Sequence, residues 1–532
     1  MYDIRHLSDN EISVRAGDAA FPVPFREGLL YSSPARGTWT IAHTSMLIPG
    51  SHQIFVCPSC CLRGVVLSAE EMGAMDRFSM LEFTDDHILR GDLEDMIIEG
   101  VSGILNEMPK KPTCVLLYTS CVQHFLNIDL NLVYRECAKA HPEVDFIDCY
   151  MLPTMRKHFS PEKMQWRQLY RAVKKLPEDV HLANVIGSFY EIQPESELFE
   201  IFREAGVRVS QLPTMVSYDE YKHMGAAAMN VFFHPVVDFA AKDMEKRLGQ
   251  KAVYMPVSFN YEEIRRSEMG LSEALREILC AGGEFHVEDV RTGEGAAENT
   301  YVGNVHTADP CNVPEIRLPD YKALQNDAEE ALAGALAVIG QTPIALDFSA
   351  VTRPLSLARM LLEHGFCVRR IYADAFAPEE KSDFEVIRER FPDVIIFPMT
   401  QPGMRVTRRN ALEFLAIGQK ATYFTGTRHF VNLVENGGLY GFRGIIKIAH
   451  MMVEAFRTEK NPREFIEIKA LGCTENCARL ADAGCGSGAK RIDAGCGNGA
   501  KRTDAGCGNG VILGDDSCRN DRAETSGGGV TV

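Results

Sequence analysis

Short apolar runs alternate with helical patterns along most of the chain. Runs such as Cys114–Tyr118 and Val368–Tyr372 contain no polar alternation, which predicts strands covered on both faces of a parallel sheet. Apolar residues at helical spacing predict helices at 92–108, 321–338 and 355–364. Strands that alternate with helices indicate βαβ units with right-handed crossovers. The pattern therefore predicts an α/β fold.

The same pattern predicts more strands, which fall into three series along the sequence. These strands are Trp39–His43, Ile54–Val56, Val185–Phe189, Asn230–His234, Ala252–Pro256, Ile344–Phe348, Val394–Phe397 and Ala421–Phe424, with a loop predicted at Leu47–His52. A chain of 532 residues is too long for one core, since cores stop growing near roughly 250–300 residues. We therefore expect three Rossmann-like units with mostly parallel sheets, at 27–182, 183–318 and 319–465, after an N-terminal extension at 1–26.

The last segment, 466–532, differs in kind from the rest of the chain. The sequence Asp-Ala-Gly-Cys-Gly begins at Asp482, Asp493 and Asp504, and glycine is frequent to the end. Glycine-rich repeats have little apolar surface to bury, so we predict a disordered Gly/Cys-rich C-terminal tail. The alternative is a tail that collects metal through its regularly spaced cysteines.

Charge and hydropathy exclude two classes of partner. The net charge of −17 argues against nucleic acid or an anionic membrane surface as the main partner. No apolar run approaches the roughly 18–20 residues of a transmembrane helix, and the first residues lack the apolar region of a signal peptide. We therefore expect a cytoplasmic protein.

Sixteen cysteines are many for a reducing compartment, where clustered thiols more often bind metal than form disulfides. Five of them have apolar or helical surroundings and are predicted to be small buried side chains: Cys114, Cys137, Cys149, Cys280 and Cys367. Another group consists of Cys57, Cys60, Cys61 and Cys121. Soft thiolates at this spacing suit an iron–sulfur cluster or zinc, and unliganded buried thiols are the alternative.

Candidate functional residues lie at the predicted edges of the sheets. In parallel α/β sheets, ligands bind at the carboxyl ends of the strands. Cys121, His234 and the turn 349–354 each follow a predicted strand. Four histidines lie near such loops and could protonate a reduced substrate, namely His43, His124, His158 and His234. We select His234 as the candidate catalytic residue.

Several segments resemble the nitrogenase component-1 family, over roughly residues 27–460. The segment 33–44 is similar to the family's glycine-led entry to its first cluster loop, and 116–121 to its strand and Thr-x-Cys turn, with Asp129 as the acidic residue after it. Arg353-Pro354 resembles a turn after a strand of the third unit. The segment 438–444 resembles the glycine-rich loop before a late helix.

The resemblance implies a two-part oxidoreductase. An ATP-hydrolysing iron–sulfur reductase docks on a dimer or tetramer of component-1 chains and passes on low-potential electrons. The expected cofactor is a 4Fe–4S cluster or a larger one, shared between this chain and a homologous subunit or a second copy of itself. By this resemblance, the cluster ligands that this chain contributes are Cys57, Cys61 and Cys121, with Cys60 as a further candidate metal ligand. Such a protein is expected to function under anaerobic conditions.

The sequence also departs from the family's dinitrogen-reducing subunit. That subunit binds its catalytic cofactor through a cysteine and a histidine, where this chain has Pro235 and Tyr440. Proline cannot ligate a metal, so the resemblance implies a substrate other than dinitrogen. Either this chain's cavity takes an organic substrate, or the sister subunit carries the substrate site. A scaffold for metallocluster assembly with the same fold is the alternative function.

Overall fold

The computed structural model describes residues 12–26, 28, 30–35, 37–152, 160–282, 315–405 and 413–466. The predicted tail at 466–532 lies outside the described residues except for its first one, and so does His158. None of the helices within these ranges is long and apolar enough to cross a membrane.

The first unit is built on a parallel four-stranded sheet. Its strands are β2 (Ser51–Cys57), β3 (Phe78–Glu82), β4 (Cys114–Ser120) and β5 (Asp145–Met151), in the order β3-β2-β4-β5. Every residue of β2 and β4 is buried, as the continuous apolar run at Cys114–Tyr118 predicts for β4. The helices of this unit are Ile41–Ser45, Ser59–Glu71, Asp85–Arg90, Leu93–Glu107, Cys121–Phe125 and Leu130–Ala140, with a 3-10 turn at Met75–Arg77.

The second unit repeats this arrangement. Its parallel strands are β6 (Asp179–Val185), β7 (Arg208–Gln211), β8 (Ala227–Phe232) and β9 (Lys251–Tyr254), in the order β7-β6-β8-β9. Its helices are Pro161–Leu169, Glu197–Glu204, Tyr218–His223, Asp238–Leu248 and Tyr261–Gly282, with 3-10 turns at Leu212–Thr214, Met224–Ala226 and Pro235–Val237.

The third unit contains a six-stranded sheet with one strand from the start of the chain. Its strands, in spatial order, are β1 (Val14–Arg15), β12 (Ile395–Phe397), β11 (Val368–Tyr372), β10 (Ile344–Asp347), β13 (Leu415–Ile417) and β14 (His429–Val431). All pairs are parallel except β1 with β12. The helices are Tyr321–Ile339, Pro354–Glu363, Lys381–Arg390, Gln419–Thr425, Gly441–Arg457 and Pro462–Phe465, and the 3-10 turns are Ala16–Asp18, Pro378–Glu380, Pro402–Arg405 and Glu435–Gly438.

The sheets confirm an α/β fold of three Rossmann-like units with mostly parallel strands. The residue boundaries of the units stay a prediction. One apolar core joins the second unit to the third, with Val185 and Ile344 among its members. Another joins the first unit to the second, with Tyr118 and Val237 among its members.

Three strand predictions are wrong. Val185–Phe189 overlaps β6 only at Val185, the last residue of that strand, and the other two segments are helical. Trp39–His43 precedes and enters the helix Ile41–Ser45, because the backbone N–H of Thr40 donates to His43 Nδ1 at 3.0 Å and starts the helix there. Ala421–Phe424 lies inside the helix Gln419–Thr425, and the neighbouring strand is β13. Both segments are short apolar runs, whose periodicity does not separate a buried helix from a buried strand.

The order of strands creates a switch point in each sheet. In the first sheet the chain passes from β2 to β3 on one side and then to β4 on the other side of β2. The crossover helices diverge at such a point and leave a crevice at the carboxyl ends of the two central strands. In the first unit those two strands end in Cys57 and at Ser120, directly before Cys121.

Candidate functional site

Four thiols lie at the carboxyl edge of the first sheet. Cys57 is the last residue of β2, and Cys60 and Cys61 are in the first turn of the helix Ser59–Glu71. Cys121 is the first residue of the helix that follows β4. The register pairs Val56 with Thr119, so the two loops leave neighbouring strands at the same level. We call this set of four cysteines the thiol edge.

Gln123 holds the two loops of the thiol edge together. Its amide Nε2 donates to the carbonyl of Val56 at 2.8 Å, and its Oε1 accepts from the backbone N–H of Ser120 at 2.9 Å. The side chain of Gln123 is fully buried. Sequence reasoning missed this residue. Its signal is the spacing Ser120-x-x-Gln123, which is the pattern of a helix capping box.

The thiols are close enough to influence one another's protonation. Cys60 Sγ and Cys61 Sγ are 3.9 Å apart. Burial, with Cys61, Cys60 and Glu82 nearby, raises the pKa of the fully buried Cys57 to about 12. Burial also raises the pKa of Cys61, with further contributions from Cys60 and Cys121. Both thiols are therefore neutral at pH 7 unless a metal stabilises the thiolate.

The donor set fits part of an iron–sulfur cluster. Thiolate sulfur is the usual protein ligand of such clusters, and Cys61 interacts with both Cys57 and Cys121. Within the described ranges, however, no group of three or more Cys, His, Asp or Glu side chains is arranged to hold a single metal ion.

Exposed apolar side chains lie in the helices that follow β3 and β4. Phe125 and Leu126, at the end of the helix that begins with Cys121, are 74% and 44% exposed. Leu89, in the helix after β3, is 83% exposed at the same edge of the sheet. Cys60 is exposed as well, whereas Cys57 is buried. Large apolar side chains grouped on a surface are typical of a protein interface.

The cysteines predicted to be structural lie elsewhere. Cys114, at the amino end of β4, is buried along with Cys137 and Cys149. Burial raises the pKa of Cys114 to about 12. Cys280 and Cys367 are partly buried. Cys114 and Cys121 therefore occupy opposite ends of one strand, at opposite edges of the first sheet.

The candidate histidines have structural partners. His43 is buried, and its Nε2 lies 3.3 Å from Glu71 Oε2. The ring of His124 lies edge-on to Tyr150, and burial lowers its pKa. His234 follows β8, and its Nδ1 accepts from the backbone N–H of Val236 at 3.0 Å. Burial lowers the pKa of His234 to about 4, so its imidazole is neutral at pH 7.

His234 borders a small cavity between the second and third units, which we call the junction cavity. Its wall includes Phe189, Phe233, His234, Glu435 and Tyr440, and its volume is about 40 Å³. The rings of Phe233 and Tyr440 lie 5.1 Å apart across the two units. Ligand pockets usually measure about 300–1,000 Å³, and a cavity of this size has room for one or two water molecules.

The junction cavity does not fit a catalytic metal cofactor of the dinitrogen-reducing type. Pro235 and Tyr440 stand where the family's ligands are expected, and Pro235 offers no donor atom. The cavity volume of about 40 Å³ is also far below the roughly 300–1,000 Å³ of ordinary ligand pockets.

The loop on one side of the cavity is conformationally strained. Glu435 and Asn436 have φ angles of 45° and 66°, which non-glycine residues rarely adopt. The carboxylate of Glu435 accepts from the backbone N–H of Trp39 at 3.0 Å, and burial raises its pKa to about 7. Sequence reasoning missed Glu435, although the following Asn-Gly pair signals a tight turn.

The comparisons with known proteins agree with this architecture. The family model of nitrogenase component 1 type oxidoreductases matches residues 44–457, which is more than half of the chain. No curated protein matches the chain.

Among solved structures, the chain is similar to one described as "Nitrogenase Cp1 at pH 6.5". The TM-score is 0.54 and the identity 11%, with 81% of this chain and 94% of that chain covered. A second solved structure, described as "Nitrogenase Cp1 at pH 5", has a TM-score of 0.47 and an identity of 13%, with 81% of this chain and 90% of that chain covered. At these identities the likeness concerns the fold alone. The family match over residues 44–457 shows that the chain belongs to the nitrogenase component 1 type oxidoreductase family.

Proposed function

We propose that this chain is one subunit of an iron–sulfur oxidoreductase that receives low-potential electrons from a separate ATP-dependent reductase. The observation that carries the proposal is the meeting of Cys57, Cys61 and Cys121 at the switch point of the first sheet. Family membership makes an oxidoreductase role the natural one for such a site. Three thiols placed on two rigid loops are suited to binding a cluster and passing electrons through it.

The thiol edge is proposed to bind its cluster jointly with a second subunit. Its three principal thiols give an incomplete ligand set, and exposed Phe125 and Leu126 provide apolar contact area beside them. The partner is a homologous component-1 subunit or a second copy of this chain, in a dimer or tetramer. Cys61 is preferred to Cys60, because it interacts with both Cys57 and Cys121 while Cys60 faces solvent.

The substrate is proposed to be something other than dinitrogen, bound outside the junction cavity. A cavity of about 40 Å³ is too small for an organic substrate as well as for a large metal cofactor. The sister subunit, or the surface between the subunits, is then the place for the substrate. The net charge of −17 argues against nucleic acid or an anionic membrane surface as the main partner of this complex.

His234 is proposed to handle protons at the junction cavity. Its Nδ1 accepts a hydrogen bond from Val236, so the neutral ring carries its proton on Nε2. A ring in this state can donate from Nε2 and take part in a chain of hydrogen bonds that includes water. Its low pKa means that it does not store a charge at pH 7.

A scaffold for metallocluster assembly is the second candidate function. The observation that favours it is the exposure of Cys60, since an accessible thiol next to buried ones could take part in handing a cluster on. An enzyme subunit keeps its iron when an acceptor protein is added. A scaffold loses its iron to that acceptor.

Anaerobic co-expression with neighbouring genes tests the proposal. The purified complex is analysed for iron, sulfide, subunit composition and electron paramagnetic resonance. We expect a brown complex of at least two chains whose resonance signal changes when an ATP-dependent reductase is added. A colourless monomer without iron would overturn the proposal.

A further inference from the structure

A second cavity lies at the amino edge of the first sheet, opposite the thiol edge. Its wall includes Ser51, at the start of β2, Thr113, directly before β4, and Thr214 of the second unit. Its volume is about 670 Å³. Ligand pockets usually measure about 300–1,000 Å³, so this cavity, unlike the junction cavity, has room for a small organic molecule. We call it the amino-edge cavity.

Both sides of the amino-edge cavity include apolar side chains. Met46 and Leu47 of the first unit and Leu212 of the second line it, and all three belong to the core that joins these units. Pro109 and Pro213 add rigid rings from the two sides. A wall of this kind favours a ligand with an apolar body.

Hydrogen bonds hold the two sides of the cavity in place. The hydroxyl of Tyr218, four residues after Thr214, donates to Oδ2 of Asp145 at the start of β5, at 2.7 Å, and so joins the second unit to the first. Within the first unit, Thr113 Oγ1 donates to the carbonyl of Gly50 at 3.2 Å and joins the segments before β2 and β4. Because the wall is positioned in advance, a ligand has less conformational entropy to offset when it binds.

The polar part of the wall is mainly cationic. It contains Arg77, Lys110 and Lys111, and Asp76 is the acidic side chain among the described residues that line the cavity. His52 also lines it, but burial and the charge of Arg77 lower its pKa to about 4, so it is neutral at pH 7. The chain as a whole has a net charge of −17. A cationic cavity in such a chain favours an anionic ligand.

The guanidinium of Arg77 is fixed in position and keeps a free donor group. Its Nε donates to the carbonyl of Ser51 at 3.0 Å, and its Nη2 donates to the carbonyl of Ile48 at 2.7 Å and to Ser51 Oγ at 2.8 Å. Its Nη1 makes no hydrogen bond to any residue that the structure describes. A guanidinium held in this way offers charge-assisted hydrogen bonds to an anionic oxygen.

The two lysines of the cavity differ in their partners. Lys111 Nζ lies 2.5 Å from Glu143 Oε1, so its charge is already paired. Lys110 is exposed and has no ion-pair partner in the described part of the chain. Lys110 is therefore the lysine that is available to an anion in the cavity.

We propose that the amino-edge cavity is a binding site for a small organic anion. The apolar body of the ligand lies against Met46, Leu47 and Leu212, and its anionic group is bound by Arg77 and Lys110. The proposal goes beyond the proposed function, because the site lies at the opposite edge of the first sheet from the thiols and uses none of them.

Two matched dyes test the proposal on the full chain without iron or a reductase. The dye 8-anilinonaphthalene-1-sulfonate has an aromatic body and one sulfonate, and N-phenyl-1-naphthylamine has the same body without the sulfonate. The sulfonate dye should bind the wild-type chain, and Lys110→Glu should weaken its binding by about fivefold or more, since an attractive charge becomes repulsive. The neutral dye should bind both chains equally within about twofold. A wild-type chain that does not bind the sulfonate dye, or a parallel loss for the neutral dye, would overturn the proposal.

Lys246→Glu is the matched control for the charge reversal. Lys246 is exposed in the helix Asp238–Leu248, outside the cavity, and its replacement changes the net charge by the same amount. This variant should bind the sulfonate dye like the wild type. A loss equal to that of Lys110→Glu would mean that only the net charge of the chain matters, which contradicts a site at the cavity.

Hydrogen–deuterium exchange locates the bound dye. With the sulfonate dye present, the segments 46–52 and 212–216 on the two sides of the cavity should exchange more slowly, by about threefold or more. The segment 121–126 at the thiol edge should be unaffected. Slower exchange at 121–126 without protection of the cavity segments would mean that the dye binds the exposed apolar side chains there, and it would overturn the proposal.

Discussion

The thiol edge of the first unit and the junction cavity between the second and third units differ in how they are packed. At the thiol edge, thiols and apolar rings reach the surface, and Phe125 is 74% exposed. At the junction, aromatic rings close around a space of about 40 Å³. The exposed side chains and the enclosed space thus occur at different places in one fold, so changes at the two places are expected to affect different properties of the chain.

The largest loss of stability is expected at Arg353, which links the second unit to the third. Its guanidinium is buried and bonds to Glu263 Oε2 at 2.7 Å and to Asp383 Oδ2 at 3.1 Å. Arg353→Ala leaves Asp383 buried with less compensation and should lower the free energy of unfolding by about 3–5 kcal/mol. Urea unfolding measures this change.

Arg390→Ala is the control for this prediction. Arg390 pairs with Glu363 on the surface, where its side chain is 58% exposed. Its removal should change the free energy of unfolding by less than about 1 kcal/mol. Similar losses for the two variants would show that the buried network does not stabilise the contact between the units.

Gly441→Ala should cause the next largest loss of stability. Gly441 has a φ of 68°, and a Cβ there would lie 1.9 Å from Oε1 of Glu197. The variant should lose at least about 2 kcal/mol, from backbone strain and from displacement of Glu197. Thermal unfolding measures the loss.

Gly270→Ala is the control for Gly441→Ala. Gly270 lies in a helix, and no atom outside its own turn lies within 4 Å of the position that an alanine Cβ would take. Alanine should therefore stabilise the chain by about 0.5–1 kcal/mol. A Gly441→Ala variant as stable as the wild type would show that the junction is packed loosely enough to absorb the added carbon.

The smallest effect on stability is expected at the thiol edge. Phe125→Ser removes an exposed ring and should change the free energy of unfolding of the isolated chain by less than about 0.5 kcal/mol. The same change should weaken binding of the partner subunit by about 1–2 kcal/mol, because aromatic side chains often dominate interface energy. Sedimentation of the variant mixed with the partner subunit measures this loss of binding. Val216→Ser, at an 84% exposed position outside the thiol edge, should leave association unchanged.

The fold was largely predictable from the sequence, because its long patterns are strong. The strand Val368–Tyr372 occurs where its apolar run predicts it, and the predicted helix at 321–338 is observed as Tyr321–Ile339. The errors at Trp39–His43 and Ala421–Phe424 concern short runs that form helices instead of strands. In such runs tertiary packing and capping decide between helix and strand.

The candidate site was predictable in part. The positions of Cys57 and Cys121 follow from the rule that parallel strands end at one edge of a sheet. Gln123 could not be chosen in advance, because its bond to Val56 depends on the register of β2 and β4. The hydrogen bond from the backbone N–H of Arg443 to Glu197 Oε2, at 3.3 Å, joins two units distant in sequence, and no local pattern encodes it.

The assignment of Cys121 as a cluster ligand is tested at the two ends of β4, by comparing Cys121→Ala with Cys114→Ala. Both variants are co-expressed anaerobically with the partner genes, and iron and sulfide are measured per chain. Either change should cost on the order of 1 kcal/mol of stability, so general damage is matched. The account predicts that Cys121→Ala loses most of the iron or converts the cluster, while Cys114→Ala keeps the wild-type content. Equal iron contents in the two variants would contradict it.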